Sequence, residues 1–331
     1  MILAGDIGGT KCNLGLFEER NGRLQAVLEQ RFESRKYPEF HSLFAEFLQL
    51  AGANRAPGKI AAAALGVAGP VLQNRVKVAN LPWEMDGAAL AQRTGVPLVL
   101  LINDLVATAH GLSHLPQEDF RVLSKGEAAP GGAVAVLGAG TGLGHVNLFW
   151  DGKKYCVAAA ESAHADFSPH DEQQLELLRF VLKKGLAPSA EAILSGSGFL
   201  LVHEFLAPRT RHVFMADPDA DVAAEISRRG LEGSCPGCVE TLDLWTKVYG
   251  SEAGNAALRA LATGGVYISG GIAVKILPKM TDGRFVRAFR DKDKMEYLLE
   301  RIPIAVLLNE KAPLIGAAYR ALEVSRAAVP A

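Results

Sequence analysis

Twice in this chain an apolar run meets a glycine turn and then returns to alternating apolar residues. Residues 3–17 read LAGDIGGTKCNLGLF, and residues 132–150 read GAVAVLGAGTGLGHVNLFW. Alternation on both sides of a tight, side-chain-poor turn predicts two strand–turn–strand openings, one for each of two related units. Gly8 and Gly9, like Gly140 and Gly142, leave backbone N–H groups bare, a good seat for phosphate. Such glycines also admit backbone angles that other residues avoid. Thr10 and Thr141 add hydroxyl donors. Asp6 would repel a phosphate unless a divalent cation stood between them, as Mg²⁺ does with nucleotides. Ala139 stands at the matching place in the second turn, so only the first turn offers a carboxylate. An ordinary hairpin explains either turn alone. Their repetition favours two turns that grip one polyphosphate. GGTKC lacks the spacing of the GxxxxGK[ST] phosphate loop.

The remaining pattern supports two β-β-β-α-β-α units. Strands are expected at 2–7, 12–18 and 24–33, with Asn21-Gly22 turning between the last two. Phe40, Leu43, Phe44, Phe47, Leu48 and Ala51 share one helical face. IAAAALGVAGPV and RVKVANL read as strands, and Asp86 fits the cap of a helix, DGAALAQRT. PLVLLI is a continuous apolar run, as in a central strand buried on both faces. It ends at Asn103-Asp104, and LVATAHGL continues as a helix. In the second half, Asp151-Gly152 turns a hairpin into KKYCVAA. Helices are expected at 171–184, where Asp171 and Gln174 suit a capping box, and at 190–206, 219–229 and 236–263. GVYISGG is a strand entering a glycine turn. IPIAVLL and a helix, APLIGAAYRALEVSR, close the chain.

With 331 residues, 49% hydrophobic and 21% charged, the chain has room for two domains and a large core. A net charge of −1 gives no basic footprint for nucleic acid. IAAAALGVAGPVL is too short and glycine-rich to span a membrane. No secretory leader is read at the N-terminus, no room is read there for a DNA-binding module, and SRAAVPA carries no targeting signal. Four cysteines in such a length suit a reducing cytoplasm better than a disulfide scaffold. Cys235 and Cys238 form CPGC, which admits a zinc or redox reading. With Cys12 and Cys156 far off in apolar strands and no second CxxC or HxxxH, a turn before a helix is the expectation.

GDIGGT (5–10), LINDLVATAHG (101–111), GAGTGLG (138–144), ESAH (161–164), AEAILSGSG (190–198) and ISGGIAVK (268–275) occur in order over nearly the whole chain. In this the sequence resembles the bacterial glucokinases of the hexokinase–actin–Hsp70 superfamily. The resemblance implies a duplicated actin-like, ribonuclease H-like α/β fold with two lobes around a cleft. The expected lobes are 1–110 plus 301–331, a small α/β lobe, and 111–300, a larger α+β lobe, with the last helix crossing back to the first. It also implies ATP-dependent phosphorylation of glucose in the cytoplasm, usually by a homodimer. ESAH departs from the E-x-G-H element of the related ROK kinases, and CPGC does not match their zinc motif, so no structural zinc is expected.

A sugar kinase must hold a neutral polyol, activate one hydroxyl and neutralise a moving phosphoryl group. Carboxylates and amides suit hydroxyls that both donate and accept. Asn103 and Asp104 end a strand where open α/β sheets place ligands. On residues alone, Asp104 is either a general base or a helix cap. The resemblance makes it the base for the 6-hydroxyl, with Asn103 fixing the sugar beside it. Glu161, His164 and Glu191 resemble the family's other sugar ligands. His164, Asp166 and His170 also admit a metal reading, but sugar binding fits a neutral imidazole better. Gly8, Gly9 and Thr10 from one unit and Gly140, Thr141 and Gly142 from the other would meet the phosphates. Asp6 would hold Mg²⁺, through water. Gly270 and Gly271 would let the backbone approach adenosine. Ser195–Gly198 either borders that pocket or starts a helix. Phosphate ligands in both units imply that bound substrates draw the domains together. Rival readings are a kinase for mannose or N-acetylglucosamine, a polyphosphate phosphatase, and a silent sugar sensor.

Overall fold

The first glycine turn joins β1 (Ile2–Ile7) to β2 (Lys11–Arg20), and an Asn21-Gly22 turn leads into β3 (Arg23–Glu33). The computed structural model describes residues 1–53, 58–207, 212 and 221–327. Helix α1 (Phe40–Ala53) buries Phe40, Leu43, Phe44, Phe47 and Ala51, the face its spacing predicts, with Leu48 half-buried at its margin. β4 (Ala62–Val67) follows, then a ribbon of β5 (Arg75–Lys77) and β6 (Glu84–Asp86). Asp86 caps α2 (Gly87–Thr94) by accepting from the N–H groups of Ala88 and Ala89. β7 (Val99–Asn103) then runs into α3 (Asp104–Gly111).

These strands form a sheet in the order β3-β2-β1-β4-β7, antiparallel through the hairpins and parallel from β1 to β4 to β7. β7 is therefore at the sheet's edge and not central, as its apolar run suggested. Two features explain the run. Val99 and Leu101 join the core on one face of the sheet, while Leu98, Leu100 and Ile102 pack on the other. Its outer edge is covered by a side chain: Asn74 Nδ2 donates to Val99 O, and Asn74 Oδ1 accepts from Leu101 N–H. One amide thus does the work of a neighbouring strand.

The second sheet repeats the plan. Its strands are β8 (Phe120–Ser124), β9 (Val134–Ala139), β10 (Leu143–Trp150), β11 (Tyr155–Ala160), β12 (Gly265–Ser269) and β13 (Ile304–Leu307). The order is β11-β10-β9-β12-β13-β8, so its first five positions copy the first sheet and β8 adds an antiparallel edge. The helices here are α4 (Glu172–Lys183), α5 (Ala190–Ile193), α6 (Gly196–Leu206), α7 (Val222–Glu232), α8 (Pro236–Ala260), α9 (Gly271–Lys275), α10 (Leu277–Met280), α11 (Arg284–Arg290) and α12 (Glu296–Leu299). The single helix expected over 190–206 breaks at Ser195, which turns extended and caps α6 through its Oγ. Residues 219 and 220 of the helix expected at 219–229 lie outside the described residues.

The chain forms two compact units, Met1–Pro116 with Asn309–Ala331, and Gln117–Leu308. β13 pairs with β12 in the second sheet, so residues 304–307 belong with the second unit and not with the lobe read as 301–331. The last helix, α13 (Ala312–Ala327), belongs to the first unit. There Leu314, Ala317, Ala318 and Ala321 pack with Ile2, Ala4, Ala62, Ala64 and Ala107. No helix among the described residues is long and apolar enough to cross a membrane.

Candidate active site

In the first unit, strand register sets the geometry. β1, β4 and β7 run parallel, and Ile7, Val67 and Asn103 are aligned neighbours at their carboxyl ends. The GGT turn and Asp104 consequently emerge from the same edge of the sheet, where such sheets bind ligands. Gly66, paired with Asp6, makes the approach possible. A Cβ there would come within 2.9 Å of Ala107 Cβ and 3.6 Å of Asp104 Cα. The missing side chain lets the first turn of α3 lie against the sheet.

The cap of α3 is Asn103 and not Asp104. Asn103 Oδ1 accepts from the N–H groups of Leu105 and Val106, and its Nδ2 donates to Gly69 O at 3.3 Å. Asp104 is the first helical residue, half-buried, with Oδ1 accepting from Leu105 N–H at 2.8 Å. Asn103 is thus mostly committed to holding α3 in place, and Asp104 is the carboxylate this arrangement presents. Beside it, burial pushes the Asp6 carboxyl up to about 6, against a hydrogen bond from Asn13 Nδ2 and with the Asp104 charge adding to the rise. A hard divalent cation at Asp6 would relieve both its desolvation and the repulsion from Asp104.

The GGT turn is tight but not strained. Gly8 N–H donates to Lys11 O, and neither Gly8 nor Gly9 has a positive φ. The expectation of special backbone angles is therefore corrected. Close quarters explain the glycines: a Cβ on Gly8 would lie 3.1 Å from Lys11 O, and one on Gly9 3.3 Å from Ala79 O. Thr10 is exposed next to them. The fully buried Ser34 braces the turn by donating to Gly8 O at 2.7 Å. Ser34 and Asn13 were not singled out in the sequence. Asn13, a polar residue on an otherwise apolar alternating strand, is the one signal that was visible.

In the second unit, Gly140, Thr141 and Gly142 form the matching turn, with Gly140 N–H donating to Gly142 O. Gly196 N–H donates to Gly140 O at 2.9 Å, so SGSG both starts α6 and borders the turn. Gly270 has φ +91°, and a Cβ on it would strike Ala139 O at 2.2 Å. Here glycine is required on both counts. The 270–271 backbone therefore lies against the end of β9, beside the turn.

Glu161, His164 and Glu191 come together in this unit. Glu161 precedes a 3₁₀ turn (Ser162–His164), and an isolated bridge between Asp166 and Ser189 brings the start of α5 alongside. His164 lies 3.9 Å from Glu161 Oε2 and 3.8 Å from Glu191 Oε1. The other Glu191 oxygen accepts from Leu143 N–H at 3.0 Å. Glu191 therefore links the Glu161–His164 group to the second glycine turn. A Cβ on Gly142 would lie 2.6 Å from Glu191 Oε2. Gly142→Ala is expected to displace that carboxylate and lower kcat/KM roughly tenfold or more, the scale of one charge-assisted hydrogen bond. Steady-state kinetics should show both substrates affected.

Ser162, inside this turn, bonds His145 Nδ1 at 2.9 Å. His145 is buried on β10, and desolvation pushes its imidazole down to about 4, so it is neutral at pH 7. Sequence reading missed this tether, although a lone histidine within GLGHVNL was its visible sign. His170 pairs instead with Asp291 at 3.0 Å. Among the described residues, His164, Asp166 and His170 do not form a metal-holding group.

The family model described as Glucokinase matches residues 3–324 of the chain. The chain is 36% identical over 337 residues to the glucokinase of Nostoc sp. strain PCC 7120, covering 96% of this chain and 98% of the relative. To the glucokinase of Synechocystis sp. strain PCC 6803 it is 37% identical over 351 residues, covering 97% and 98%. A solved glucokinase from an Antarctic psychrotroph superimposes with a TM-score of 0.85 at 26% identity, covering 97% of this chain and 98% of the other.

Proposed function

The chain belongs to the glucokinase family, and from that premise we propose how its residues divide the transfer of the γ-phosphoryl group of ATP to the 6-hydroxyl of glucose. Its fold is the actin-like fold of sugar kinases. Asp104 accepts the proton of the attacking hydroxyl. Asn103 holds Asp104 in place by capping α3 and offers an amide N–H to the sugar. Glu161, His164 and Glu191 bond hydroxyls near the anomeric end. The observation that carries the reading is their convergence: two carboxylates, from the turn and from α5, meet one imidazole within 4 Å. An imidazole and carboxylates together can both accept from and donate to a polyol.

Gly8, Gly9 and Thr10 meet the phosphates from one unit, and Gly140, Thr141 and Gly142 from the other. The bare backbone at Gly270 and Gly271 faces adenosine. Asp6 would hold Mg²⁺ through water, and the bound ion would supply charge neutralisation for the triphosphate. The same reading makes the enzyme a cytoplasmic homodimer, on the support of family membership.

Glu161→Gln keeps the shape but removes the charge. It is expected to raise the glucose KM by about tenfold while leaving the ATP KM within about twofold, since a hydrogen bond to a charged group contributes about 1.5–3 kcal/mol. A coupled assay over glucose, mannose and N-acetylglucosamine with MgATP checks both this split and the preference for glucose. Equal effects on the two KM values would remove Glu161 from the sugar site.

A further inference from the structure

The CPGC motif lies outside the residues assigned to phosphoryl transfer above, and the fold gives it company that sequence spacing hid. Cys235 is the N-cap of α8, Pro236 its first residue, and Cys238 lies in its first turn. Both thiols are free and buried. His203, near the end of α6, and His212, between α6 and α7, come to the same place. His212 Nε2 lies 3.6 Å from Cys235 Sγ and 3.8 Å from Cys238 Sγ. One ligand atom from each of His203, His212 and Cys238 lies within 4.8 Å of the other two.

These separations have a metric meaning. Zinc binds sulfur at about 2.3 Å and imidazole nitrogen at about 2.0–2.1 Å, and a tetrahedral angle between such bonds spaces S and N about 3.6 Å apart. The two S···N distances at His212 Nε2 match that edge. The hydrogen bonds also fix how His203 is presented. Thr241 Oγ1 donates its only proton to Gly237 O at 2.7 Å. Its 2.9 Å contact with His203 Nδ1 must then be a bond donated by Nδ1–H. That leaves the lone pair on Nε2, which is buried without a hydrogen-bond partner among the described residues. An imidazole held by its far nitrogen, with the near one unprotonated, is how metal-ligating histidines are oriented.

We propose that Cys235, Cys238, His203 and His212 form a tetrahedral zinc site that staples the end of α6 to the start of α8. The expectation of no structural zinc rested on the lack of a second ligand pair at motif spacing. Two histidines 23 or more residues upstream of Cys235 supply it through the fold. The site lies in the second unit, and the other end of α6 carries Gly196, bonded to the glycine turn at Gly140.

The test uses the full-length protein, stripped with chelator and titrated with Zn²⁺ and, separately, Co²⁺. Wild type is expected to retain about one Zn²⁺ per chain after desalting, and its Co²⁺ form to show the intense visible bands and sulfur-to-metal charge transfer of a tetrahedral thiolate site. Cys238→Ser should abolish the charge transfer or weaken it strongly. Thr241→Val leaves every ligand in place but releases His203, and should weaken zinc binding about 10–100-fold. If Cys238→Ser folds poorly, Thr241→Val and the wild-type cobalt spectrum still decide the matter. Wild type that retains no zinc and shows no thiolate charge transfer, or variants that retain zinc as wild type does, would overturn the proposal.

Discussion

Asp104→Ala is expected to lower kcat by about 10²–10⁴-fold, the usual contribution of a general base, equivalent to about 3–5 kcal/mol of transition-state stabilisation. ATP affinity should change little, because the phosphate contacts proposed above come from backbone N–H groups and threonine hydroxyls of the glycine turns. Asp104→Asn separates two roles. It keeps an oxygen for the Leu105 N–H bond, so α3 should start normally, yet it cannot take a proton. If Asp104 acts as the base, Asn is as damaging as Ala. If it only shapes the helix start, Asn is close to wild type. Phosphoryl transfer depends mainly on positioning and electrostatics. Residual activity in both variants is therefore expected to be measurable, and isothermal titration with ATP should show the nucleotide half intact.

The second large effect lies away from the chemistry, at Gly316. Helices α3 and α13 cross with almost no side chain between them. A Cβ on Gly316 would fall 1.8 Å from Ala107 O and 2.6 Å from Gly111 N, and one on Gly111 would fall 2.8 Å from Ala312 O. These neighbours are backbone atoms, which cannot swing aside. Gly316→Ala must push the helices apart, at a cost of about 1–3 kcal/mol for overpacking. Because Asp104 is the first residue of α3, the shift reaches the proposed base. Misplacement by about 1 Å can cost on the order of 10²-fold in rate. Thermal unfolding should move to lower temperature and kcat should fall. Gly52→Ala on α1, where a Cβ meets open space, should do neither.

What the sequence made legible was local. The glycine turns, the Asp86 cap, the Asp151-Gly152 hairpin and the buried face of α1 each follow from residues a few positions apart. The duplication was legible because each unit carries its own copy of the turn, and the two sheets share one strand order. The edge position of β7 was hidden, since an apolar run reports covered faces and says nothing of its hydrogen-bonding edges. Asn74, which covers that edge, is 25 residues from Val99. The double duty of Glu191 was hidden for the same reason: its bond to Leu143 N–H spans 48 residues. The clustering of His203 and His212 around CPGC needed two helices and the segment between them to be placed first. Glycine chemistry was read correctly at the level of residue type but misattributed at Gly8 and Gly9, where crowding by carbonyl oxygens explains the choice and backbone angle does not.

The central claim is that the Asp104 carboxylate touches the hydroxyl that receives the phosphoryl group. The most direct measurement is a crystal structure of the enzyme with glucose and a non-hydrolysable ATP analogue, reading the distance from Asp104 to the glucose 6-oxygen. The account predicts about 2.6–3.2 Å, with Glu161, His164 and Glu191 on the other hydroxyls. Glucose bound with its 6-oxygen against a different acid, or beyond hydrogen-bond reach of Asp104, would contradict it.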